Sequence, residues 1–274
     1  MAREEPLASI LHISDLHFGW PAVPEAAEAV HALAARLRPS AVACSGDLVQ
    51  RGDFAAQFRQ ARAFLERFEA PVLVVPGNHD LPLYNPLARL FRPFANFRRY
   101  IHPELEPVLV ADGAVLVGIS TPRPWLIDLG YVGRRQLERV AEAFAAAPPE
   151  ALRVVVMHHP LVPTRRDGLF RHHVRGSRRA VRALAAAGAE LVLSGHNHFP
   201  HCERVHDAGA VPLLVVHSGT ACSSRVRPHT GCDVNAVNVI RREPDGTVAV
   251  EHHHFRDGEF RAVAVARFAR AARS

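Results

Sequence analysis

Five short polar clusters carry residue types that hold metal ions: Asp15-Leu16-His17, Gly46-Asp47, Gly77-Asn78-His79-Asp80, His158-His159-Pro160 and Gly195-His196-Asn197-His198. Carboxylate, amide oxygen and imidazole without thiolate form a donor set suited to manganese, iron or zinc rather than to a soft metal or a purely calcium site. Two Asp, one Asn and four His make seven side chains, too many for one ion and suited to two if one carboxylate is shared. Two divalent ions are therefore expected. Asp15 and His17, like His196 and His198, are two positions apart; in an extended segment such residues point to one side, so each pair could grip a site from one edge. Taken alone, Asp-x-His and Gly-Asp ordinarily mark turns or caps, and His-His-Pro a surface loop. Taken together, in this order and placement, they point to one centre.

Each cluster follows a short apolar, β-branched run, at 10–13, 41–44, 72–75, 154–157 and 191–193, and further such runs lie at 115–119 and 213–216. These read as buried strands, and ligand-binding groups gather at the carboxyl ends of strands in α/β sheets. The glycines before Asp47, Asn78 and His196 suit tight turns with close backbone approach. Helical periodicity at 24–38, 54–69, 134–147 and 177–187 separates several strands, which argues for a largely parallel sheet with helices outside. From about 213 onward consecutive strands appear, at 236–240 and 247–251 around Glu243-Pro244-Asp245-Gly246, which predicts a second, partly antiparallel sheet. The expected fold is α/β, a four-layer α-β-β-α sandwich of two stacked mixed sheets, in a single domain over residues 1–274.

A formal charge of +6 raises a polyanionic partner, but all 33 basic residues are arginine and they are scattered. Nucleic acid is therefore not expected as a partner. Cys44, Cys202, Cys222 and Cys232 form no close pair and read as reduced packing residues. The opening Met-Ala-Arg-Glu-Glu-Pro has no long apolar stretch and no run reaches membrane-spanning length, so a soluble cytoplasmic protein is expected. A homo-oligomer is left open.

From residue 10 to about 242 the ordered set resembles the calcineurin-like metallophosphoesterase superfamily, and segments 14–19, 45–52, 75–83 and 217–227 are similar to its bacterial cyclic nucleotide phosphodiesterase-like members. The resemblance implies that Asp15, His17, Asp47 and His198 hold one metal ion. Asp47 would bridge to a second, held by Asn78, His158 and His196. The family's His-x-Pro pattern selects His158 over His159 as the ligand. It further implies a hydrolase that cleaves a phosphodiester by attack of a hydroxide shared between the two ions, with His79 as general acid to the leaving group. Asn78, His79 and His198 would also face the substrate. Protein serine/threonine phosphatases of the superfamily carry an aspartate three positions after the bridging one; here that position is Gln50. This speaks against a protein phosphatase, with Asp53 or Asp80 left as substitutes for the missing support of His79. Asp80 could equally be a cap or turn residue.

Arg225, after a predicted strand, is a substrate-binding candidate. Phe18, Tyr84, Asn85 and segment 165–175 follow ligand motifs and are weaker ones. His252-His253-His254 reads as an edge or surface strand. The expected substrate is a small phosphodiester such as a cyclic nucleotide or glycerophosphodiester. A repair-type nuclease, a lipid-linked pyrophosphate hydrolase with a hydrophobic cap, and a non-catalytic scaffold module are the alternatives, the last disfavoured because all seven ligand positions are filled.

Overall fold

A computed structural model describes residues 6–163, 173–205 and 212–269. In chain order the elements are β1 (Ala8–Ile13), α1 (Pro24–Leu37), β2 (Ala41–Cys44), α2 (Ala55–Leu65), β3 (Val72–Val74), α3 (Pro86–Phe91), α4 (Ala95–Tyr100), β4 (Val108–Ala111), β5 (Ala114–Ile119), α5 (Arg134–Ala145), β6 (Leu152–Met157), α6 (Ser177–Ala186), β7 (Leu191–Ser194), β8 (His201–Val205), β9 (Leu213–His217), β10 (Ala236–Arg242), β11 (Val248–Arg256) and β12 (Glu259–Phe268). Two six-stranded mixed sheets result, ordered β12-β11-β10-β1-β2-β3 and β4-β5-β6-β7-β9-β8.

Both faces of the central strands are buried, which is why they read as unbroken apolar runs. Along β1, Leu11 and Ile13 join the core formed with Val30 and Leu33 of α1 and Phe58 of α2. Ile10, just before them, faces inward to Leu116, Val154 and Leu193 of the other sheet. On that sheet Val115, Val117 and Ile119 point outward to Leu137 and Phe144 of α5 and Leu184 of α6. Helix, sheet, sheet and helix are thus stacked in four layers, as expected. Among the described residues no helix is long and apolar enough to cross a membrane. The four cysteines remain free thiols.

Two expectations need correction. The strands after residue 213 do not make a sheet of their own: β9 pairs parallel to β7, whereas β10 pairs antiparallel to β1 and carries β11 and β12 into the first sheet. Local turn signals around 243–246 revealed the hairpin but not its partner, because a strand's neighbour is set by which open edge remains. His252-His253-His254 is correspondingly not on an edge strand, since β11 lies between β10 and β12; His253 is buried, and His252 and His254 are partly exposed.

His252 instead belongs to a buried polar seam. Asn238 on β10 accepts a hydrogen bond from His252 Nδ1 (2.7 Å), and its amide meets His12 Nδ1 (3.2 Å) and the His217 carbonyl (3.0 Å), tying both sheets together. Burial lowers the pKa of both His12 and His217 to about 3 and that of His252 to about 4. These rings stay neutral in the folded chain but take up protons near pH 6.5 when unfolded. Their contribution is therefore complete above pH 6.5 and is withdrawn as pH falls toward 3, by about 2 kcal/mol per fully buried ring at pH 5. Urea unfolding between pH 7 and 5 should show this loss, and His217→Leu should make the loss shallower than in the wild type.

Candidate metal centre

The clusters leave the carboxyl ends of β1, β2, β3, β6 and β7, so the first sheet supplies Asp15, His17, Asp47 and Asn78, and the second supplies His158, His196 and His198. The β1–β2 pairing continues past the strands, with the Asp15 N–H donating to the Gly46 carbonyl and the His17 N–H to the Asp47 carbonyl, both at 3.0 Å. The expected extended geometry is absent here. Asp15, His17, Asp47, His196 and His198 all adopt left-handed backbone, with φ of 53°, 46°, 52°, 71° and 60°. Their side chains converge because the chain kinks at each one, not because alternate residues of a strand share a face. Asp and His tolerate this region better than branched residues, yet each such residue is strained by about 1–3 kcal/mol.

Glycine lets the loops meet. A Cβ on Gly77 would lie 2.1 Å from Asp47 Oδ1, and one on Gly195 would lie 1.8 Å from Ser14 Oγ and 2.3 Å from Asp15 Oδ2.

All seven candidate ligands come together. Ligand atoms of Asp15, His17, Asp47 and His198 lie within 4.8 Å of one another, as do those of His158, His159 and His196. In the second group His158 Nε2 is 3.0 Å from Asn78 Oδ1 and 3.2 Å from His196 Nδ1. His159 is set apart by its Nδ1, which engages the Thr121 hydroxyl at 2.8 Å. Asp47 Oδ2 stands between the groups, 3.7 Å from His17 Nε2 and 3.4 Å from His158 Nε2.

The donor set fits cations. His158 Nδ1 donates to the Ser45 carbonyl (2.8 Å) and His198 Nδ1 to the Arg225 carbonyl (2.6 Å), which turns Nε2 of both rings inward. His198 Nε2 faces Asp15 Oδ1 at 3.2 Å. Ligands on one ion with bonds near 2.1 Å stand about 3 Å apart, close to the spacing of these donors. Charge behaves accordingly. Burial disfavours the Asp47 carboxylate, but the neighbouring imidazoles, His158 first, hold it well below its usual range. His158, opposed by burial, is carried up to about 9 by Asp47.

Around the centre, Asp80 is a brace rather than an orienting partner of His79. Its carboxyl accepts from the backbone N–H groups of Gly77 (2.7 Å), Leu48 (2.9 Å) and Val49 (3.1 Å), joining the Asp47 and Asn78 loops. Burial and the nearby Asp47 charge push it up to about 8 despite those donors. Asp53 is likewise occupied, accepting from Leu83, Tyr84 and Asn85 N–H groups. His79 finds its support elsewhere: Nδ1 donates to the Gln50 carbonyl at 2.9 Å. That leaves Nε2 facing the centre, 2.9 Å from Arg225, whose guanidinium also reaches Gln50 Oε1 (3.3 Å). Arg51, not anticipated from sequence, lies 3.2 Å from His79 Nδ1 and carries Tyr84 on its far side.

Of the weaker substrate candidates, Phe18 packs against Phe64 in the core and Asn85 caps α3, so neither lines the centre. Of segment 165–175, residues 165–172, with His172, lie outside the described residues.

The model of the calcineurin-like phosphoesterase family matches residues 8–200. The chain belongs to this family. It is similar to a cAMP/cGMP dual specificity phosphodiesterase of Mycobacterium tuberculosis, 28% identical over 60% of the chain and 50% of the relative, so the chain spans about half of that protein's length. It is also similar to the glycerophosphodiester phosphodiesterase GpdQ of Enterobacter lignolyticus, 27% identical over 80% of the chain and 77% of the relative. Among solved structures, a purple acid phosphatase from yellow lupin shares the fold with a TM-score of 0.73 at 11% identity, covering 94% of this chain and 53% of that one. A dimetal phosphatase from Danio rerio does so with a TM-score of 0.66 at 12% identity, covering 96% and 99%. The calcineurin-like fold and the cluster together imply divalent metal ions as cofactors.

If Asp80 holds the two loops in register, Asp80→Ala should lower metal affinity by roughly 10- to 100-fold while leaving the β-sheet signal intact. Equilibrium dialysis with manganese, paired with circular dichroism, measures both.

Proposed function

We propose that the chain is a metal-dependent phosphoesterase with a two-ion centre, acting on a small phosphodiester of the cyclic nucleotide or glycerophosphodiester kind. The observation that carries the reading is Asp47 Oδ2 lying within 3.7 Å of an imidazole from each donor group, the place a bridging carboxylate must take. Asp15, His17, Asp47 and His198 would hold one ion, and Asn78, His158, His196 and the shared Asp47 the other. When bound, divalent ions supply Lewis acidity at phosphate oxygens and lower the pKa of a water, as phosphoester hydrolysis requires. Manganese, iron and zinc all suit these donors.

The remaining roles fall to the chain's own groups. Arg225 presents a fixed positive fork beside the centre, suited to a phosphate oxygen. His79, oriented through Nδ1 by the Gln50 carbonyl, turns Nε2 toward the centre and, as the imidazolium, would deliver the Nε2 proton to the leaving oxygen once Arg225 moves its N–H from Nε2 to the phosphate. A backbone carbonyl thus replaces the aspartate of the protein phosphatases. The phosphodiesterase names of the curated relatives support a diester substrate.

Elemental analysis with a bis-p-nitrophenyl phosphate assay tests the reading: two metal ions per chain and manganese-stimulated diester cleavage are expected, and a metal-free, inactive folded chain would refute it. Asp47→Asn should abolish turnover and reduce metal content. His79→Ala should keep its metal but slow esters with poor leaving groups most, and Arg225→Gln should raise KM by roughly 10-fold with metal content unchanged.

A further inference from the structure

Helix α3 buries none of its residues, although its six positions include Leu87, Leu90 and Phe91, exposed by 70%, 58% and 74%. Such a segment ordinarily frays or folds its apolar side inward, because isolated short helices are unstable in water. This one is held apolar side outward by polar bonds. Asp53 accepts the N–H groups of Leu83, Tyr84 and Asn85 at the entrance to the helix. Arg89 donates to the carbonyls of Pro82, Pro124 and Leu126 at 2.8–2.9 Å, clasping α3 to the loop that carries Trp125 and Ile127. Those two side chains are exposed by 73% and 61%. Trp20, exposed by 94%, follows β1. The segments bearing these residues leave the carboxyl ends of β1, β3 and β5, the end that carries the metal-binding loops, and Tyr84 links them to Arg51 and His79.

We propose that this apolar rim docks the mouth of the centre on an anionic phospholipid bilayer. Charge selects the occupant. Residues 82–103 hold four arginines and no acidic residue, with Arg92 exposed beside Phe91, and the exposed Asp128 is the one acid of the loop that carries Trp125 and Ile127. A second copy placed symmetrically on the same face would set these cations against their own images, whereas an anionic headgroup layer complements them. Exposed Trp and Leu beside arginine is the composition that settles at a bilayer's headgroup boundary. The inference stands apart from the hydrolytic reading, because binding is measured without turnover.

The chain's two tryptophans, Trp20 and Trp125, both lie in the rim, so intrinsic fluorescence reports docking directly. With phosphatidylglycerol vesicles the full chain should show a blue-shifted emission and co-sediment, with little of either on phosphatidylcholine vesicles. Leu87→Ser/Phe91→Ser should weaken partitioning by roughly 10- to 100-fold, with unchanged circular dichroism and metal content. If that variant fails to fold, Arg92→Glu/Arg99→Glu tests the charge arm, and loss of phosphatidylglycerol binding is expected. The proposal is overturned if the wild type ignores phosphatidylglycerol, if both variants bind as well as the wild type, or if sedimentation shows that the rim closes a dimer which excludes vesicles.

Discussion

Two buried carboxylates repel each other, and four imidazoles crowd their ring nitrogens around them. The structure meets this repulsion with backbone geometry. Five of the seven donors sit in left-handed conformation, and none of them can relax without breaking a hydrogen bond that belongs to the frame: Asp15 and His17 to the loop after β2, His196 to Asp15 Oδ2. Thr220 adds a bond to the Asp15 carbonyl at 2.6 Å. Strain of this kind persists only where the surroundings over-determine it.

The stacked sheets make that over-determination available. Neither sheet alone supplies the whole donor cluster, and the buried layer between them fixes their separation through close-packed side chains such as Ile10, Val154 and Leu193. Asp80 then couples the loops after β2 and β3, and the Gln50 and Arg225 carbonyls set the rings of His79 and His198. Position in this centre is thus dictated largely by main-chain atoms, which the type of residue at each site does not disclose.

That explains what could be read from sequence. The strands were legible because burial on both faces leaves unbroken apolar runs, and the donors because they interrupt those runs at the ends. The partner of β10 was not, since strand pairing across more than 200 residues leaves no local mark. Strand β12 was missed because only one of its residues, Phe260, is buried. Asp80 looked like a turn residue, and by its bonds it is one, but three of its partners belong to catalytic-end loops. The support for His79 was sought among side chains, and a carbonyl was the answer. Phe18 follows a candidate ligand in sequence and still packs against Phe64 in the core, after the left-handed turn at His17.

The pairing of β10 with β1 has a consequence for how the molecule is made. Every candidate ligand lies before residue 200, within the stretch that defines the family. Yet β1, which delivers Asp15 and His17, has an unsatisfied edge until the chain's last fifth arrives to cover it. A ribosome that has finished the candidate ligands has therefore not finished the fold around them, and a gene interrupted just past them would encode every candidate donor on an open, adhesive strand.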